Sequence, residues 1–70
     1  MTPLYYFIQK EGVYPQGVYW IGSDEATAAS KLVELAQSDR DSYHYWVLYE
    51  YNPLGTAHTE IRRCKKGFLF

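Results

Sequence analysis

No internal disulfide can form in this 70-residue chain, because Cys64 is its only cysteine. The small secreted scaffolds that lean on two or more bridges are set aside, and nothing in the cysteine count argues for secretion. Long hydrophobic runs are missing too. The longest, Leu4 to Ile8 and Tyr45 to Tyr49, fall far short of the roughly 20 residues that span a bilayer, and no signal-peptide pattern is visible. A soluble cytoplasmic protein with no membrane partner is the expectation. Neither sign of charge is in excess: eight acidic against seven basic side chains leave a net charge of −1. No global field steers the chain onto nucleic acid or an anionic membrane.

The motifs of chemistry are absent as well. There is no glycine-rich phosphate loop, nucleophile elbow or zincin spacing. His44 and His58, with one cysteine, give no paired metal-ligand spacing. No cofactor, no metal and no catalysis are therefore expected.

What the chain does have is aromatic side chains, 19% of its residues, led by eight tyrosines and two tryptophans. Ordinary cores favour Leu, Ile and Val, whereas Tyr and Trp suit half-buried surfaces, with one end apolar and the other able to hydrogen-bond. Seventy residues form one domain, residues 1–70, near the size at which a single core barely offsets chain entropy. A bound partner or a homo-oligomer accounts for both features.

One stretch, Ser23 to Ser38, carries a helical period. Ala26, Ala28, Ala29, Leu32, Val33, Leu35 and Ala36 fall on one side of the wheel, and Thr27, Ser30, Lys31, Glu34, Gln37 and Ser38 on the other. Ser23 is the expected N-cap, with Asp24 and Glu25 set against the positive end of the helix dipole. The end is expected between Gln37 and Asp41.

The remainder reads as strand and turn. Leu4 to Lys10 is apolar on both faces, as in a strand inside a sheet, and Glu11 to Gly17 is a long hairpin loop. Val18 to Ile21 sets Val18 and Trp20 opposite Tyr19 and Ile21. Tyr43 to Tyr51 is the strongest strand signal, with Tyr43, Tyr45, Val47, Tyr49 and Tyr51 on one face. Ala57 to Cys64 alternates Thr59, Ile61 and Arg63 with His58, Glu60, Arg62 and Cys64, and its charges suit an edge strand. The fold class that follows is α+β, ββαββ, with one amphipathic helix on one face of a four-stranded, mainly antiparallel sheet. If that helix covers Ile8, Trp20, Trp46 and Leu48, the opposite face shows the tyrosines.

Candidate binding residues come from three places. Tyr5, Tyr19, Tyr45, Tyr49 and Tyr51 would form an aromatic face for stacking a flat ligand or docking a protein. Tyrosines also populate half-exposed sheet faces without any function, but a contiguous patch is usually an interaction site. Around the loops, Arg40 offers an anion clamp, and His44 with Asp41 a carboxylate–imidazole pair, which is equally ordinary turn chemistry without a nucleophile nearby. The cluster Arg62, Arg63, Lys65 and Lys66 suits phosphate or an acidic partner, or simply a solvated edge.

The string Lys10, Glu11, Gly12, Val13, Tyr14, followed later by Asp39, Arg40, Asp41, Ser42, Tyr43, His44, resembles short uncharacterised proteins of bacteria and their phages. The resemblance implies stoichiometric binding with no assigned activity. A phage counter-defence role would follow, either by blocking a host protein complex or by sequestering a nucleotide signal. A small nucleic-acid-binding regulator is the alternative from another class, and there the chain lacks the second helix and the glycine-aromatic signature of the common RNA-binding sheet fold.

Overall fold

The computed structural model describes residues 4–12, 17–40, 44–55, 57–65 and 68–69. Element order is β1 (Tyr5–Lys10), β2 (Val18–Gly22), α1 (Glu25–Ser38), β3 (Trp46–Tyr51), β4 (His58–Lys65) and a two-residue β5 (Phe68–Leu69). The sheet runs β2-β1-β3-β4-β5 with every neighbour antiparallel. The ββαββ architecture is thus present, and the apolar C-terminal segment extends it. Because β5 pairs with Cys64 and Lys65, β4 is a true edge only along its first part. Apolar residues on both faces put β1 in the interior of the sheet, between β2 and β3.

The helix begins one residue later than Ser23. Asp24 is the N-cap, and its carboxylate accepts from the Thr27 backbone N–H at 3.0 Å and also from the Thr27 hydroxyl. A carboxylate serves two donors at once and carries charge against the dipole, so Asp24 outcompetes the neighbouring serine. These bonds, the side-chain one first, hold the Asp24 carboxyl below its ordinary value of 3.8. A lowered folded-state pKa means the cap stabilises fully above the unfolded value and fades as pH falls through the folded one. Asp24→Asn is therefore expected to flatten the loss of thermal stability below about pH 4, as read in a pH series of melting curves.

At the other end, Asp39 is the C-cap, its N–H reaching the Ala36 carbonyl at 3.4 Å. Its side chain ties the helix to the sheet. One carboxylate oxygen accepts from Trp46 Nε1 at 2.9 Å and meets Lys10 Nζ at 2.9 Å. The helix lays Ala28, Leu32 and Ala36 on Tyr6, Ile8, Trp46, Leu48 and Cys64, with Trp20 and Leu35 packed at the margin. The covered set contains the four residues expected from the alternation pattern. Val33 is left 36% exposed, so the buried stripe is narrower than the apolar arc of the wheel. Small residues along the stripe let the helix axis approach the sheet closely.

Two bulges reassign faces. Between β1 and β2, Ile8 pairs Trp20 but Gln9 pairs Val18, which makes Tyr19 the extra residue. Between β3 and β4, Leu48 pairs Arg62 but Tyr49 pairs Glu60, which makes Ile61 the extra residue. Strict alternation fails at each, because the residues on either side of a bulge change phase with respect to the pleat.

Candidate functional site: the open aromatic face of the sheet

With the helix on one side, the other side of the sheet carries the residues of opposite phase. Tyr5 pairs Tyr51, Phe7 pairs Tyr49, Gln9 pairs Val47, and across the next ladder Tyr51 pairs His58. Among the described residues no element covers this side. Phe7 and Tyr49 stack at 5.0 Å between centroids with an 18° interplanar angle. Tyr51 meets the edge of Phe7 at 5.4 Å and Tyr5 at 5.8 Å, while His58 closes on Tyr49 at 4.9 Å and on Phe7 at 5.6 Å. Offset and edge-on contacts of this kind fix the rings relative to one another. The result is a preorganised aromatic floor, half-buried at Tyr5, Phe7, Tyr49 and Tyr51 and exposed at His58, which loses little side-chain entropy on binding.

A charged margin adjoins the floor. The second bulge brings Glu60 and Arg63, three residues apart on a strand, onto the same face, where strict alternation would separate them. Arg63 donates to both Glu60 oxygens, at 2.8 Å and 2.6 Å, and lies 3.4 Å from Glu11. Its guanidinium also sits 5.2 Å from the Tyr45 ring centre, with Lys65 Nζ at 5.0 Å. The Arg63 hydrogen bonds hold the Glu60 carboxyl below its ordinary value, and the same bonds raise Arg63. Burial, with the Glu60 and Glu11 carboxylates adding and Arg63 opposing, pushes the Tyr49 phenol up. At neutral pH Tyr49 therefore presents an uncharged O–H.

The sequence-derived candidates divide accordingly. Tyr5, Tyr49 and Tyr51 come together on the open face, with Tyr45 on the same side in the Arg63 margin. Tyr19 does not join them. Its ring makes an edge contact with Trp46 at 4.8 Å, on the helix side, because the first bulge turns it there. Arg62 and Arg63 do not act as a pair either. Adjacent strand residues face opposite ways, and Arg62 lines a cleft of about 300 Å³ beside the helix with Glu25, Ala26, Ala29, Leu48 and Ile61. Arg40 is exposed just beyond the helix C-cap. His44 is half-buried, packed so closely on Gly12 that a Cβ there would sit 2.7 Å from His44 Cδ2. Gly12, at φ +84°, could not take a side chain without strain in any case. The Glu11 N–H reaches the Tyr45 carbonyl at 2.8 Å, so the two loops meet at one end of the sheet. Asp41, Tyr43 and Lys66 lie outside the described residues.

Two members of the ring cluster were not among the candidates. Phe7 was legible, since it shares the Tyr5 side of β1. His58 was not, because its side depends on the bulge at Ile61. Among the described residues no group of His, Cys, Asp and Glu is placed to hold a metal ion, and no helix is long and apolar enough to cross a membrane. Burial pushes the Cys64 thiol up, away from the reactive thiolate. Comparison with protein-family models, with curated proteins and with solved structures finds no match for this chain.

Proposed function

We propose that the protein is a non-catalytic binding module that works by stoichiometric occupation of a protein partner, through the open aromatic face of its sheet. The single observation that carries this reading is the ring cluster of Tyr5, Phe7, Tyr49, Tyr51 and His58 on a sheet side that no described element covers. Aromatic rings held rigid at the centre, with Glu60, Arg63 and Glu11 at the margin, have the composition of an interface core and its polar rim. The setting we assign is a phage protein in the bacterial cytoplasm that blocks a host protein complex.

The choice of a protein over a nucleotide signal rests on the basic residues. Arg63 is engaged by two carboxylates and Arg62 faces the other way, so the pair cannot grip one phosphate from beside the aromatic floor. Nucleotides are expected to leave the thermal transition of the purified protein unmoved. A shift with a nucleotide that disappears in Arg63→Gln would instead carry sequestration, and steeply salt-dependent capture of RNA or DNA would carry a nucleic-acid regulator. For the protein-blocking reading, Tyr49→Ala with Tyr51→Ala should weaken capture of the partner from host extract at least about tenfold, while Arg62→Gln on the other face leaves it intact. Equal loss from both variants would overturn the assignment of the face.

A further inference from the structure

We infer that β2 is a self-association edge, at which two copies of this chain pair antiparallel about a twofold axis through Ile21 and join their sheets into one. In the sheet order β2 is terminal, and among the described residues it pairs only with β1. An unpaired strand edge displays a row of backbone donors and acceptors, and proteins that must stay monomeric guard it with lysine, proline or inward charge. Val18–Gly22 has none of these. Instead Val18, Tyr19 and Ile21 are 55%, 47% and 57% exposed, three of the seven large hydrophobic residues that the described part of the chain leaves exposed. The opposite end of the sheet is built differently: β4 carries Glu60, Arg62, Arg63 and Lys65, and β5 covers its last residues.

A second copy fits this edge on grounds of charge and of register. An uncharged strand meets its own twin without like-charge repulsion, and a charged peptide would find no complement on it. Antiparallel pairing of identical strands about a twofold axis sets residues of equal parity opposite each other, so side chains on one side of the sheet meet their like. Centring the axis on Trp20 would oppose Tyr19 to Ile21, which the bulge has put on opposite sides. Centring it on Ile21 opposes Ile21 to Ile21 on the open side and Trp20 to Gly22 on the helix side, so the three residues beyond the bulge, Trp20 to Gly22, meet with matching faces. Both helices then lie on one side of the joined sheet and both aromatic faces on the other. This second half of the inference rests on the proposed use of the aromatic face, whereas the pairing itself does not.

Sedimentation velocity over a concentration series reaching about 1 mM tests it with wild type, Ile21→Lys and Tyr49→Lys. Wild type is expected to dimerise, and Ile21→Lys to weaken the dimer at least about tenfold by setting two ammonium groups face to face, with unchanged circular dichroism. Tyr49→Lys should dimerise as wild type does, even though it disables the face proposed for the partner. A wild-type monomer throughout would overturn the inference. So would a dimer that survives Ile21→Lys but is lost in Tyr49→Lys, which would place self-association on the aromatic face.

Discussion

Leu32→Ala is expected to lower the unfolding free energy by about 3 kcal/mol. Leu32 is fully buried between the helix and the sheet, among Ile8, Leu48 and Cys64. Truncation removes three carbons from water-free packing and leaves a void that a two-layer fold can close only by bringing the helix down. Ala28 and Ala36, one turn away on either side, are already small and already buried, so the helix has little room to descend. A domain of this size has a total stability of only about 5 kcal/mol to draw on, and the variant should be near the edge of folding at 37 °C. Val33→Ala on the exposed flank is the control, with a cost under about 1 kcal/mol. Urea unfolding followed by tryptophan fluorescence reads both, since Trp46 is in the same core and Trp20 at its margin. Equal costs for the two substitutions would contradict the packing described.

Asp39→Ala should cost about 2 to 3 kcal/mol by a different route. The Asp39 and Lys10 side chains are only 11% and 14% exposed, and the Trp46 indole N–H shares the same carboxylate oxygen. Removing the carboxylate strands an ammonium group and an indole donor at a nearly dry site, and the cost lies chiefly in what is left unpaired. Two further variants separate that mechanism from simple loss of a cap. Asp39→Asn keeps an acceptor for Trp46 and should cost roughly half as much. Adding Lys10→Met to Asp39→Ala should recover about 1 kcal/mol, because the uncompensated charge is gone. An additive double variant would show that the two side chains do not act as a unit.

The contrast between these positions shows what was legible in the sequence. The helix, its covered residues and the four main strands followed from periodicity, because burial of one face imposes a repeat that the eye can count. Tyr5, Tyr49 and Tyr51 were placed on one side for the same reason. Single inserted residues left no such trace. Nothing in Val18–Gly22 or His58–Lys65 marks Tyr19 or Ile61 as supernumerary, since a bulge is fixed by pairing with β1 or β3 rather than by its own strand. Tyr19 therefore lay on the wrong side in the alternation scheme, and His58 and the Glu60–Arg63 ion pair went unread. Asp39 looked like one polar residue in a charged turn. Its role depends on Lys10 and Trp46, which only tertiary structure brings to it.

Native mass spectrometry of the protein purified gently from bacterial cells, wild type beside the Tyr49→Ala, Tyr51→Ala variant, addresses the use of the aromatic face most directly. The expected result is a protein adduct at fixed stoichiometry on the wild-type chain that is missing from the variant, with both chains folded. A wild-type chain that comes through without any protein adduct, or an adduct held equally by both, would contradict a binding module that works through this face.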